Sequence, residues 1–266
     1  MIQHSTQFHP SFVTGQLLGL ERDGVLEVTH SFPIPNNLDA ENEESNFRLI
    51  LEYQADMMHC LRDANVDFNT VGWYQSCYMG SFIGQNMIET QFNYQQNISE
   101  SVALVFDPER SHFGNICIRA FRLTDAFMAF YKDRKFTLEA VKAQNISTES
   151  IFEELPVLIN NSSLAKFFLA SQSELESFSF DFLNTSPVGH LEKSMELLSE
   201  LLDEKASEDS KIDFYNKSRK KDESAAAAEP SRLESLLINA QIHDTCKSLE
   251  CFIEAAVFKQ SLETIQ

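Results

Sequence analysis

The 266 residues suit one good-sized domain plus an appended helical segment, and 40 acids against 21 bases leave a formal net charge of −19. So acidic a surface repels phosphate, which excludes the ordinary basic-faced nucleic-acid binder, while 43% hydrophobic residues exclude a wholly disordered or low-complexity chain. No apolar run approaches the roughly 20 residues of a membrane span, and the five cysteines, without CxxC spacing or a secretory leader, read as free thiols in a cytoplasmic protein.

In chain order, the apolar stretch FVTGQLLGL (residues 12–20) predicts a strand that turns at Glu21 to Gly24 and returns as VLEVTHSF, so a β-hairpin leads. Pro33 and Pro35 end its ladder, and Leu49, Leu51, Tyr53, Met57, Cys60 and Leu61 at mostly helical spacing predict a helix over 44–62. NTVGWYQSCY follows as a strand and residues 85–97 as a helix. SVALVFDP then reads as a strand whose unbroken apolar run means burial on both faces, closed by Asp107-Pro108. NICIRAFRL adds another strand. Strands interrupted by helices up to about residue 160 place the chain in the α/β or α+β class.

Beyond residue 162 Gly and Pro almost disappear, and Leu191, Met195, Leu198 and Leu202 fall on one helical stripe. Residues 205–230, with KSRKK at 217–221 and four consecutive alanines, read as a polar linker ending at Pro230. A last amphipathic helix is predicted over 231–262, its stripe formed by Leu233, Leu236, Leu237 and Ala240 and continued by Leu249, Ile253, Ala256 and Val257. A helix this long buries such a stripe only by docking, either on the 191–204 helix or in a partner's bundle, and periodicity leaves both open.

Chemistry-bearing residues are sparse. Cys77 as a nucleophile has no His close in sequence, and an unpaired thiol at a strand end is more simply an apolar filler. His59 and Cys60 become a ligand pair only if other donors converge on them. KSRKK offers a local phosphate contact, against the simpler reading of a solvated charge run.

The segment VGWYQSCY, Val71 to Tyr78, followed by Thr90-Gln91, resembles the central motif of the MPN (JAB1/MPN/Mov34) family. Active members bind zinc there through two His and an Asp, with a Glu as general base toward ubiquitin-type isopeptide bonds; the open fourth position holds a water whose pKa falls to about 7. Set against that motif, Gln75 and Cys77 hold the two His positions, and Tyr78 that of a Pro. Gly84 or Gln85 stands for a Ser, Met87 or Ile88 for the Asp, and Phe12 for the Glu. An amide and one thiol make no hydrolytic zinc site, so the resemblance implies a degenerate site with no metal, no cofactor and no catalysis.

VTGQLLG, ADMMHCLRDANVD, ESVALVFDPERSHFGNICIRAFRL, FEELPVLINNS and the tail RLESLLINAQIHDTCKSLECF (232–252) are together similar to the h-subunit family of the eukaryotic translation initiation factor 3 complex. That likeness implies an α/β fold with an MPN-type curved mixed sheet flanked by helices over 1–160, starting inside the family's first helix and without its leading strand. A helical extension over 161–204, the linker over 205–230 and a bundle helix over 231–262 follow. It further implies a structural subunit that pairs with the f subunit as a second MPN protein and reaches PCI subunits through Leu233, Leu236, Leu237, Ala240, Leu249 and Ile253. Such a subunit meets the small ribosomal subunit through the complex, with little direct RNA contact and no membrane. The alternatives are a degenerate deubiquitinase working through Cys77 and an inactive subunit of the proteasome lid or COP9 signalosome.

Overall fold

Strands β1 (Thr14–Arg22), β2 (Val25–Pro33), β3 (Thr70–Ser76), β4 (Val102–Phe106), β5 (Ile118–Leu123) and β6 (Phe152–Leu155) form one mixed sheet in the order β2-β1-β3-β4-β5-β6. The computed structural model describes residues 1–8, 11–35, 43–111, 116–134, 136–172, 187–221 and 231–263. β1 and β2 make the expected hairpin. Its two-residue turn, Asp23-Gly24, has positive φ at both positions (53° and 76°), the geometry that follows the twist of the flanking strands.

β3 and β4 pair in parallel and are joined through α3 (Gln85–Asn97), while every other neighbouring pair is antiparallel. The run VALVF is buried at four of its five positions, as a strand covered on both faces requires. Close approach of these central strands depends on Gly72, where an added Cβ would stand 2.0 Å from the Val102 carbonyl oxygen. Alternation along β3 sends Trp73 to one face, with Cys77, Phe82, Met87 and Phe121, and Tyr74 to the other, with Leu17; Val71 joins Tyr74 because the register against β1 shifts there, between Leu17 and Leu18.

Helices complete the layers: α1 (Ile2–Phe8), α2 (Glu43–Asp63), α4 (Pro108–Ser111), α5 (Asp125–Asp133), α6 (Leu138–Ala143) and α7 (Ser163–Gln172). α5 begins where the Thr124 hydroxyl accepts a hydrogen bond from the Phe127 amide at 3.3 Å, satisfying one of the helix's open donors. Its Phe127, Phe130 and Tyr131 join Ile88 and Phe92 of α3 and Leu123 of β5 in the largest core. β6 stops at Leu155, so only the first four residues of the segment FEELPVLINNS are strand, because Pro156 has no amide to donate.

Two long helices follow, α8 (Pro187–Lys221) and α9 (Leu233–Glu263). They run antiparallel. His190 near the start of α8 meets the ring of Phe252 near the end of α9, with centroids 4.8 Å apart, and Lys211 lies within electrostatic reach of Glu234 at the other end. α8 corrects the sequence reading of residues 205–230 as a linker, for it continues without a break to Lys221. Polar content concealed a real stripe: Leu201 and Ile212 are buried three turns apart, Lys211 pairs with Glu208 one turn back, and the run of bases at 217–221 comes at the carbonyl end of the helix, where positive charge is favoured. The four alanines and Pro230 lie outside the described residues.

A second correction concerns α9. Leu233, Leu237 and Ala240 are buried in the largest core of this chain, with Leu236 packed against them, and are therefore not available to a partner. At ~1.5 to 3 kcal/mol for each fully buried leucine, the amino-terminal half of α9 belongs to the domain. Leu249 is half-buried, and Ile253 and Val257 stand half in solvent, at 50% and 59%.

Candidate functional site

The residues set against the zinc motif do converge, around the end of β3, the start of α3 and the residues leading into β1. The Ser76 hydroxyl accepts from the Val13 amide at 2.9 Å, which brings Phe12 beside Cys77. Phe12, 61% exposed, lines a small cavity with Ser5, Ser11, Ser76, Cys77, Tyr78 and Pro108. Its volume is about 10 Å³. That is the lower limit for one water, and far too little for a metal, its water and a carbonyl substrate.

Each side chain is occupied in a structural task. Gln75 donates from Nε2 to the Phe82 carbonyl at 3.4 Å, and Met87 is core, packed with Trp73 and Phe82. Cys77 donates its amide to the Phe106 carbonyl at 2.9 Å. Burial, aided by the charge of Asp107, pushes its thiol far above the ordinary range, so it stays protonated and unreactive at neutral pH. An amide, a methionine and a neutral buried thiol do not fit zinc, and among the described residues no three His, Cys, Asp or Glu side chains are grouped as a metal requires.

Residues Tyr78 to Ser81 fold into a tight turn, with Met79 and Gly80 at positive φ and a Tyr78–Ser81 bridge. Buried Asp107 caps α4 by accepting from the Arg110 amide at 3.2 Å, and Arg110 in turn donates from Nη2 to the Met79 carbonyl at 3.2 Å. Burial raises the Asp107 carboxyl, only partly offset by hydrogen bonds from the Arg110 amide and by its guanidinium. Gly80 suits the turn through its positive φ of 78°, and a Cβ there would displace the Arg110 guanidinium, whose Nη2 lies 2.7 Å away.

The other clamp on this turn comes from α9. Gln241, 2% exposed, accepts at Oε1 from the Phe82 and Ile83 amides at 3.3 and 2.9 Å and donates from Nε2 to the Gly80 carbonyl at 2.9 Å. One turn on, Asp244 takes two hydrogen bonds from Arg119 of β5, both 2.9 Å, while Glu154 of β6 takes two more at 2.8 and 3.0 Å. Desolvation opposes the Arg119 charge, but the hydrogen bonds to Glu154 and Asp244 outweigh it and hold the guanidinium charged; its plane also lies 4.8 Å from the Phe121 ring centre. Neither Gln241 nor Asp244 stands out in the sequence. The available signal was two polar residues three apart, interrupting the apolar stripe of a helix, which burial tolerates only when they have partners.

A buried amide ladder holds α3 to the sheet. Trp73 Nε1 donates to Gln91 Oε1 at 2.8 Å, Gln91 Nε2 donates to the Ser101 carbonyl at 2.9 Å, and Gln95 both donates to the Leu123 carbonyl and accepts from the Leu123 amide. On the opposite face Tyr74 meets His4 of α1 at 3.1 Å, its hydroxyl pushed up to about 12 by burial and by nearby Tyr53.

Comparison with known proteins agrees with this architecture. The family described as JAB1/Mov34/MPN/PAD-1 ubiquitin protease matches residues 1–100, and the family described as the C-terminal region of eIF3h matches residues 111–228. The H subunit of eukaryotic translation initiation factor 3 from Arabidopsis thaliana is 35% identical over 283 residues, covering 92% of this chain and 83% of the relative. The chain belongs to the H-subunit family of eukaryotic translation initiation factor 3. The H subunit of Dictyostelium discoideum is 34% identical with 98% and 89% covered, and that of Nematostella vectensis 34% with 90% and 82%. As a member of this family the chain is a translation initiation factor subunit carrying an MPN domain, and the second family match spans the residues of α8.

Proposed function

We propose that the chain is a non-catalytic structural subunit of eukaryotic translation initiation factor 3 in the cytoplasm. It pairs through its MPN domain with a second MPN subunit, the f subunit, and sends the far end of its carboxy-terminal helix into a bundle shared with PCI subunits. In that assembly it supports small-ribosomal-subunit binding and initiation on messenger RNA, meeting RNA chiefly through more basic neighbours. The observation that carries the reading is a zinc motif replaced at Phe12, Gln75, Cys77 and Met87 within an MPN fold, beside a tight turn at 78–81 that Arg110 and Gln241 hold. The names of its relatives, H subunits of that factor, support the assembly.

Tagging the chain in its own cells and identifying by mass spectrometry what co-elutes on gel filtration tests this reading. Co-elution with initiation factor 3 subunits, reduced by Ile253→Asp with Val257→Asp, is the expected result; removing all of α9 would instead strip Leu233, Leu237 and Ala240 from the core and test only folding. Near-stoichiometric zinc, or chelator-resistant cleavage of di-ubiquitin that disappears in Cys77→Ala, would replace the scaffold with an enzyme.

A further inference from the structure

The sheet ends at β6, whose outer edge is open. The Thr124 amide donates to the Ile151 carbonyl at 3.2 Å, which fixes the phase of the β5–β6 ladder: Glu153 and Leu155 turn their backbone groups toward β5, while Phe152 and Glu154 turn theirs outward. On the far side of β5 the Asp107 amide donates to the Cys117 carbonyl at 3.1 Å, and that bond sets the same phase. Among the described residues no hydrogen bond reaches the outward amides and carbonyls of Phe152 and Glu154. Alternation puts the side chains of these two residues on the face that α9 covers, with Arg119 and Phe121. Between that face and α9 lies an open cavity of about 570 Å³, lined by Phe82, Phe121 and Phe152 on the sheet side and by His243, Lys247 and Glu250 of α9. An edge strand beside a helix-walled groove is the arrangement that takes up an extended peptide as a further strand, with main-chain bonds at the edge and alternate side chains in the groove.

Charge decides what such a peptide carries. On the α9 face Arg119 is shared by two carboxylates, Glu154 and Asp244, and on the other face Arg122 is shared by Glu100 and Glu153. Each arginine leaves one negative charge over. Lys247 lies within electrostatic reach of Glu154, but Glu149 and Glu250 line the same cavity, and His243 meets Glu149 at 3.5 Å. Acids therefore exceed bases on both faces of the edge, even with His243 protonated. Short, charged edges ordinarily refuse further strands. This one refuses selectively: a second copy of β6 would bring its own Glu153 and Glu154 against the same pair, whereas bases at those places are attracted.

We propose that the β6 edge takes up an extended segment of another polypeptide as an added strand, with lysine or arginine opposite Glu153 and Glu154 and apolar residues opposite Phe152 and Leu155. The residue opposite Glu154 enters the cavity under α9, and the residue opposite Glu153 lies on the other face, beside Arg122 and Glu100. The site belongs to the sheet and stands independently of what the far end of α9 docks into.

The test titrates a fluorescent peptide, Thr-Val-Lys-Lys-Val-Thr with blocked ends, onto the purified full chain and follows its anisotropy. Replacing both lysines of the peptide by glutamate is expected to weaken binding on the order of tenfold. Glu153→Lys, with Trp73 fluorescence unchanged, weakens the lysine peptide and takes up the glutamate peptide in its place, a reversal that misfolding does not produce. Methylating the peptide's backbone nitrogen at every second residue abolishes binding, while methylating the residues between leaves it, because only alternate residues bond to an edge. No binding of the lysine peptide, equal binding of the two peptides, or a methylation pattern without alternation overturns the proposal. Self-association of the chain that Glu153→Lys abolishes gives the edge to a second copy and overturns it as well.

Discussion

Gln241 fastens the carboxy-terminal helix to the turn that follows β3, and its three hydrogen bonds serve the Gly80 carbonyl and the Phe82 and Ile83 amides. Gln241→Leu keeps the volume and removes the partners, so it is expected to cost about 2 to 4 kcal/mol in urea denaturation, more than a surface glutamine loses by a wide margin. Cys77 makes the complementary point. Held neutral by burial and by the nearby Asp107 charge, it is expected to resist maleimide in the native protein while exposed Cys60, Cys246 and Cys251 label readily. A native labelling rate at Cys77 equal to theirs would reopen thiol chemistry. Gly72 belongs to the same scale: with the Val102 carbonyl 2.0 Å from any Cβ, Gly72→Ala forces β3 and β4 apart and is expected to give little folded protein on expression. The motif substitutions at Gln75, Cys77 and Met87 were legible as one-letter departures. Gln241, Asp244 and Arg119 were not, because the hydrogen bonds that tie α9 to the turn at 80–83 and to β5 span more than a hundred residues of chain.

Helices α8 and α9 are held together partly by a ring contact that depends on charge. Burial of His190, reinforced by the nearby Arg110 and Lys193 charges, lowers its pKa from the ordinary 6.5. The folded state therefore binds fewer protons than the unfolded one as pH falls below about 6.5, and stability declines over that window until the lowered value is passed. Circular dichroism melts at about pH 7.5 and about pH 5.5 are expected to show a lower midpoint in acid, with the gap narrowed in His190→Phe. The Arg119 pairing acts further down the scale. Its hydrogen bonds hold Glu154 below the ordinary carboxylate value, so the stability it contributes is fully present above about 4.5 and is lost as pH falls through the lowered value. Element types and limits were largely visible in sequence: the hairpin, the helix at 43–63, β3, α3 and β4 fall within a residue or two of their predicted places. The reading of 205–230 as a linker missed because composition was weighed over spacing, and Ile212 and Glu208 keep the helical register through a polar stretch.

At the scale of the molecule, −19 charges on one chain repel one another, and the ion pairs that oppose this are mostly exposed and individually weak. Screening is expected to win, so raising ionic strength from about 0.02 to about 0.2 M should raise the thermal midpoint by a few degrees. A fall over that range would mean that the Arg119 and Arg122 pairs dominate the balance.

Hydrophobic periodicity and turn chemistry were sufficient, from the sequence alone, for strands interrupted by helices and for most element limits, while the resemblance to a known family supplied the mixed sheet and the altered motif. Periodicity and turn chemistry are local properties, written in side chains a few residues apart. Tertiary structure decided where α9 goes and which of its apolar residues are spent on this chain's own core. A helix with more than one apolar direction carries no local record of which it will bury; that choice is made only when β5, the turn at 78–83 and α8 compete for its surface.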